Sequence, residues 1–401
     1  MDELARLTAC EAVARLAARE VSPLELIDAA AARIAATDGA INALPTLCVE
    51  RARAHAHRLM KAPPADPPPH FLHGLPIAVK DLVEVAGVRT TFGSPIFADH
   101  VSAFSDYMVE TLEANGAIVI GKSSTPEFGA GSHTFNEVFG HTNNPWNARL
   151  SAGGSSGGSA AALAAGQVWL ATGSDLGGSL RNPASFCGVV GLRPSPGRVA
   201  HGPAALPFDD LGVQGPMART VADVALMLDA MCGRHADDPL SLDRPAVPFR
   251  AAATNAAPPA RVAFSADLGG VVPVEPEVAA LCARAAHAFA DLGAVVEQAC
   301  PDFSGAADAF HVLRAHAFAV RRGVLLDQHR DKLKPEIVWN IEAGRALTAA
   351  DIERAECARG ALFHRMSRFF ERFDVLLCPA AIVPPFDGTL RYPQQVAGTR
   401  L

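Results

Sequence analysis

Two stretches rich in glycine and serine hold the hydroxyl groups that could do chemistry. The first, "SAGGSSGGSAAALAAG" from Ser151 to Gly166, carries four serines and four glycines before it settles into alanine, and a fifth glycine closes it. The second, "GSDLGGSLRNPASFCG", runs from Gly173 to Gly188. Glycine loses more backbone freedom on folding than any other residue, so this density needs a reason. A phosphate cradle is one reading, but no lysine follows the glycines as GxxxxGK[ST] requires, and GxGxxG is absent. The nucleophile-elbow pattern GxSxG matches twice, centred on Ser155 and on Ser156. A loop of this composition meets that pattern without being an elbow, and "NPWNARLSA" ahead of it is not the apolar strand an elbow follows. A flexible linker is excluded by context, because the loop runs straight into the helix former "SAAALAA". Bare amides ahead of a helix suit negative charge. In the second stretch, "DLGGS" sets small residues before Ser179, so that backbone N–H groups can converge on one point as in an oxyanion hole. A tight turn with an exposed serine is the better reading of that segment taken alone.

The elements that must position these loops follow an α/β grammar. "GLPIAVKD" is an apolar run and reads as a buried strand ending at Lys80 and Asp81. A helix from Asp106 to Asn115 stops at Gly116, and "AIVIGK" follows as a strand; strand, helix and strand at this spacing predict parallel pairing. The grammar returns with "RVAFS", a helix from Pro276 to Leu292, and the strands "AVVEQ" and "DVLLCPA". The helix shows one apolar face through Val278, Leu281, Cys282, Ala285 and Phe289. The expected fold is therefore α/β, a mixed and mostly parallel sheet covered by helices on both faces. The first 60 residues read as helical, with capping boxes at "TACE" and "SPLE". Gly233 to Ala260 reads as a surface excursion within one domain spanning 1–401, not as a linker.

Composition sets the outer bounds. Of 401 residues 49% are hydrophobic and 19% charged, and the net charge of −7 argues against nucleic-acid binding. No apolar run reaches the roughly 20 residues of a membrane span, and "MDELARLTAC" lacks a signal core. Eight cysteines without a CxxC pair give no disulfide framework and no zinc site. The expectation is a cytoplasmic protein without metal or other cofactor, acting on a small molecule, with a homodimer as its candidate assembly.

At this point the residues carry a family likeness. "GGSSGGSAAALAAG" followed by "GSDLGGSLRNPASFCGVVGLRPS" resembles the amidase signature family, serine hydrolases of carboxamides with a Ser-cisSer-Lys triad. Ser155 and Ser179 stand 24 positions apart, the family interval. "LHGLPIAVKD", "GKSSTPEFG", "GHTNNPWN" and "GPMARTVAD" also resemble family segments, so the likeness spans about Gly74 to Leu228. It implies Ser179 as the acylated nucleophile, Ser155 as a bridging serine behind a cis peptide bond, and Lys80 as the base. It further implies an oxyanion hole from the amides of Leu176, Gly177, Gly178 and Ser179. A lysine acts as a base only when its amine is neutral, which burial promotes. Asp81 would oppose this if it faced the amine, but neighbouring strand residues point to opposite faces. Asp175 and Arg181 read as a pair that supports the loop. His133 and His141 lie between the motifs without a recognisable orienting partner and read as structural or substrate-side.

The implied activity is hydrolysis of a small carboxamide to an acid and ammonia or an amine. A glutaminase component of a tRNA amidotransferase and a catalytically silent binding protein of the same fold are the alternatives. Family members continue past "LLCPA" with a further segment, whereas this sequence stops at "QQVAGTRL". A C-terminally shortened chain is the expectation.

Overall fold

Helices begin where the sequence caps them. In the computed structural model, which describes residues 3–400, Thr8 and Ser22 each close a capping box, with Glu11 and Glu25 reaching back to the cap amides. They start α1 (Ala9–Ala17) and α2 (Pro23–Ile41). Asp106 caps α3 (Tyr107–Ala114) by accepting the N–H of Met108 at 2.9 Å.

The chain forms two units, Met1–Asn255 with Asp387–Arg391, and Ala256–Phe386 with Tyr392–Leu401. In the first, six strands form one sheet: β1 (Thr46–Leu47), β2 (Pro76–Lys80), β3 (Ile118–Ser123), β4 (Leu170–Asp175), β5 (Val190–Gly191) and β6 (Val213–Ala218). Their order is β1-β3-β2-β4-β6-β5. The central pairs β3–β2 and β2–β4 are parallel, and the outer pairs are antiparallel. All five residues of β2 and all six of β3 are buried, as expected of strands covered on both faces. Side chains such as Ile77, Ile118 and Leu170 pack with Leu16, Leu26, Met108, Leu163 and Leu226 in one core. The last of these belong to α1, α2, α3, α4 (Gly157–Ala164) and α6 (Val221–Met231), with α5 (Arg181–Cys187) between. Full burial of each such leucine or isoleucine contributes about 1.5–3 kcal/mol.

The second unit holds its own three-stranded parallel sheet. Its strands are β7 (Arg261–Phe264), β8 (Val295–Gln298) and β9 (Val375–Leu377), ordered β8-β7-β9. The sequence reading placed these strands in the same sheet as β2. They instead pair among themselves, because α7 (Pro276–Asp291) carries β7 over to β8 as a short crossover and β9 returns to the free edge of β7. The unit boundary falls at Asn255–Ala256, inside the stretch read as a surface excursion. Three helices, α8 (Ala306–His329), α9 (Pro335–Arg345) and α10 (Ala349–Phe369), complete this unit. Among the described residues no helix is long and apolar enough to cross a membrane.

Candidate active site

Lys80 closes β2, and its side chain is 0% exposed. Its Nζ lies 2.7 Å from Ser155 Oγ, 2.9 Å from Ser156 Oγ and 2.9 Å from Ser174 Oγ. The backbone N–H of Lys80 donates to Thr172 Oγ1 at 2.9 Å, which ties the end of β2 to β4. Burial pulls the amine down to about 7, outweighing the Asp175 carboxylate, which acts in the other direction. Asp81 does point away. Its carboxylate sits 3.2 Å from Lys122 Nζ, itself fully buried, and accepts the N–H of Thr91 at 3.1 Å.

The glycines permit close approach. The Gly154–Ser155 peptide bond is cis. Gly153 has φ +73°, and a Cβ there would stand 2.8 Å from Pro183 Cα. At Gly158, in the first turn of α4, a Cβ would stand 2.3 Å from the backbone nitrogen of Ser124. Only glycine lets this helix start against the chain leaving β3, with Ser155 and Ser156 just ahead of it. "NARLS" (Asn147–Ser151) ahead of the loop is a strand after all, though a mostly exposed one paired with Asn143–Asn144.

The second stretch joins the first through its backbone: Ser156 N–H donates to the Ser179 carbonyl at 3.2 Å. Ser179 is half-buried, and among the described residues its hydroxyl makes no hydrogen bond. The structure thus brings Lys80 and Ser155 into contact and ties the Ser179 backbone to Ser156, the residue after Ser155, without closing a Ser155–Ser179 hydrogen bond.

Asp175, at the end of β4, organises the turn. It is 0% exposed and accepts the N–H of Gly178 at 2.8 Å and of Leu180 at 3.1 Å. Arg181 grips the same carboxylate twice, at 3.0 Å each, and Arg193 donates to the Asp175 carbonyl. Burial opposes charge on this carboxylate, but Arg181 and the two amides outweigh it and hold its pKa below the usual range. One expectation changes here. The Gly178 amide is taken up by Asp175, which leaves Leu176, Gly177 and Ser179 as the amides of this turn without a partner among the described residues.

Sequence reasoning missed Ser156 and Ser174 as neighbours of the lysine, and Arg193 behind the turn. Ser156 stood next to Ser155 in plain view. Ser174 lies 94 positions from Lys80 and becomes a neighbour only because β2 and β4 pair in parallel.

Comparison with known proteins agrees with this architecture. The amidase family model matches residues 25–398. An acylamidase of Rhodococcus erythropolis is 36% identical over 397 residues, covering 98% of this chain and 83% of the relative. One component of the glutamyl-tRNA(Gln) amidotransferase of Anaeromyxobacter dehalogenans (strain 2CP-C) is 44% identical over 243 residues, 61% of this chain and 49% of that one. Among solved structures, a bacterial aryl acylamidase of the amidase signature enzymes superposes with TM-score 0.89 at 29% identity, covering 98% of this chain and 84% of its own. A 6-aminohexanoate cyclic dimer hydrolase gives 0.82 at 28% identity, covering 92% and 78%. With the family match spanning both units, and full-length likeness in sequence and in fold, the chain belongs to the amidase family, the amidase signature enzymes that hydrolyse amide bonds.

Proposed function

We propose that this amidase hydrolyses a small carboxamide through an acyl-enzyme on Ser179, with Ser155 and Lys80 as its proton relay. The observation that carries the reading is a buried amine, at about 7, lying 2.7 Å from the Ser155 hydroxyl. For the relay to run, the Ser179 side chain turns onto Ser155 Oγ. Ser155 then passes its proton to neutral Lys80 and takes that of Ser179, whose oxygen attacks the amide carbon. The N–H groups of Leu176, Gly177 and Ser179 receive the oxyanion. As the carbon–nitrogen bond breaks, the Lys80 proton returns through Ser155 to the leaving amine. Water, deprotonated by the same relay, releases the acid. No step needs a metal or cofactor, so turnover should withstand a chelator.

The likeness to an acylamidase, 36% identical over 98% of this chain, supports acyl amides as substrates. Glutamine is the second reading, because glutamyl-tRNA(Gln) amidotransferase subunits A reach 34% over 96% of it. A hydrolysis screen across aliphatic, aromatic and amino-acid amides tests this. Turnover of glutamine alone would favour the amidotransferase reading, and no Ser179 adduct with phenylmethylsulfonyl fluoride would favour a silent binder. Cys187 and Cys232 are buried thiols outside any disulfide, which supports a reducing setting such as the cytoplasm. Whether the active form is a homodimer is a question for sedimentation.

A further inference from the structure

His133 lies outside the proposed relay, yet its bonds run into the loop that presents Ser155. The ring is 2% exposed. Its Nε2 stands 2.9 Å from the Gly388 carbonyl, which can only accept, so Nε2 carries the hydrogen. In a neutral ring Nδ1 is then a lone pair, and the Ser151 hydroxyl, 2.7 Å away, donates to it. That choice leaves the Ser151 oxygen to accept the N–H of Gly153 at 3.0 Å. The next residue, Thr134, donates to the Gly153 carbonyl at 2.8 Å and accepts the N–H of Gly157 at 3.2 Å. A Cβ on Gly154 would stand 2.8 Å from the backbone nitrogen of His133. Residues 133 and 134 therefore hold the loop on both sides of Ser155.

We propose that His133 is a positioning residue for Ser155: acting through Ser151, its neutral Nε2-protonated ring fixes the Gly153–Gly154 backbone that aims the Ser155 hydroxyl. The inference rests on the reading of Ser155 as part of the relay.

The surroundings keep the ring neutral. Burial pushes its pKa down; the Gly388 carbonyl opposes this, and His141, with ring centroids 5.7 Å apart, adds to it. On the neighbouring segment the Asp387 carboxylate is turned to Thr389, accepting its N–H at 2.8 Å and its hydroxyl at 2.7 Å. The Arg149 carbonyl accepts the Gly388 N–H at 2.8 Å, and Arg391 lies over the Phe135 ring. A second ring proton would turn Nδ1 into a donor, reverse the bond to Ser151 and disturb the hold on Gly153.

The test separates the two ends of the imidazole. His133→Asn puts an acceptor near the place of Nδ1 and keeps the Ser151 bond, whereas His133→Gln reaches towards Gly388 and gives up Ser151. We expect kcat of His133→Asn within about threefold of the parent. His133→Gln and Ser151→Ala should each lose about 10- to 100-fold in kcat with KM within about threefold, since small misplacement of a reacting group costs on that scale. Melting temperatures of all three separate this from loss of folded protein, and if His133→Gln does not fold, Ser151→Ala decides alone. Equal kcat for the Asn and Gln variants, or parental kcat for Ser151→Ala, overturns the proposal. Ser179→Ala serves as the reference: full activity there sinks the relay reading itself, whereas its loss together with an unaffected Ser151→Ala sinks only the role of His133.

Discussion

At the residue scale the decisive arrangement is one nitrogen among three hydroxyls. An ammonium can donate to all three, but a neutral amine has two N–H groups and one lone pair, so one hydroxyl must donate to it. Ser156 is not that one, because its oxygen accepts the Ser174 N–H at 3.3 Å and its hydrogen faces the Ser174 carbonyl at 3.4 Å. Ser155, with the shortest contact at 2.7 Å, is the natural donor. Ser155→Ala should therefore lose at least about 100-fold in kcat, and Ser174→Ala less than about tenfold, in steady-state amide hydrolysis. Lys80→Ala should lose about 100- to 10,000-fold, the range for a removed general base. Because only the neutral amine is basic, kcat/KM of the parent should rise with pH through about 7 and then level off. A flat profile across that range would remove Lys80 from the mechanism. Ser179→Ala should abolish turnover and leave the melting temperature close to the parent, as the side chain has no hydrogen bond among the described residues to lose.

At the element scale, the ends of strands and helices were legible because local chemistry marks them. Thr8, Ser22 and Asp106 mark helix starts, Gly116 a helix stop, and the apolar run of β2 a covered strand. What the sequence left hidden is which ends meet. No local signal announces that β2 lies between β3 and β4, and the contact of Ser174 with the lysine depends on that order. Strand pairing is a property of the whole sheet, set by long-range packing, so Ser174 and Arg193 escaped a reading along the chain. The glycine requirement, by contrast, is a local steric fact that can be measured. Gly158→Ala forces a Cβ against the backbone of Ser124 and should destabilise the protein by about 1–3 kcal/mol in urea unfolding. A change under about 0.5 kcal/mol would mean that the start of α4 yields easily.

At the scale of the whole molecule, the signature stretches and their support all lie in one unit, while the second carries a separate parallel sheet. The sequence showed strands in both halves but not this partition, because a strand's own residues do not name its partner. The thiols report on both units at once. Cys357 and Cys378 are exposed, whereas Cys187 is buried and its thiol pushed up to about 12. Ellman's reagent near pH 8 should thus modify those two first and Cys187 last; rapid reaction at Cys187 would contradict its placement. Asp175 has a consequence of its own. Its carboxylate is held below the ordinary range, so the stability it supplies is present above the unfolded value near 3.9 and fades only as pH falls through its own lower one. Lys80 takes its proton far sooner, at about 7. Between those limits the enzyme should lie dormant but undamaged: an hour at about pH 5 silences it, and a return to about pH 8 wakes the full rate at once, without a refolding lag.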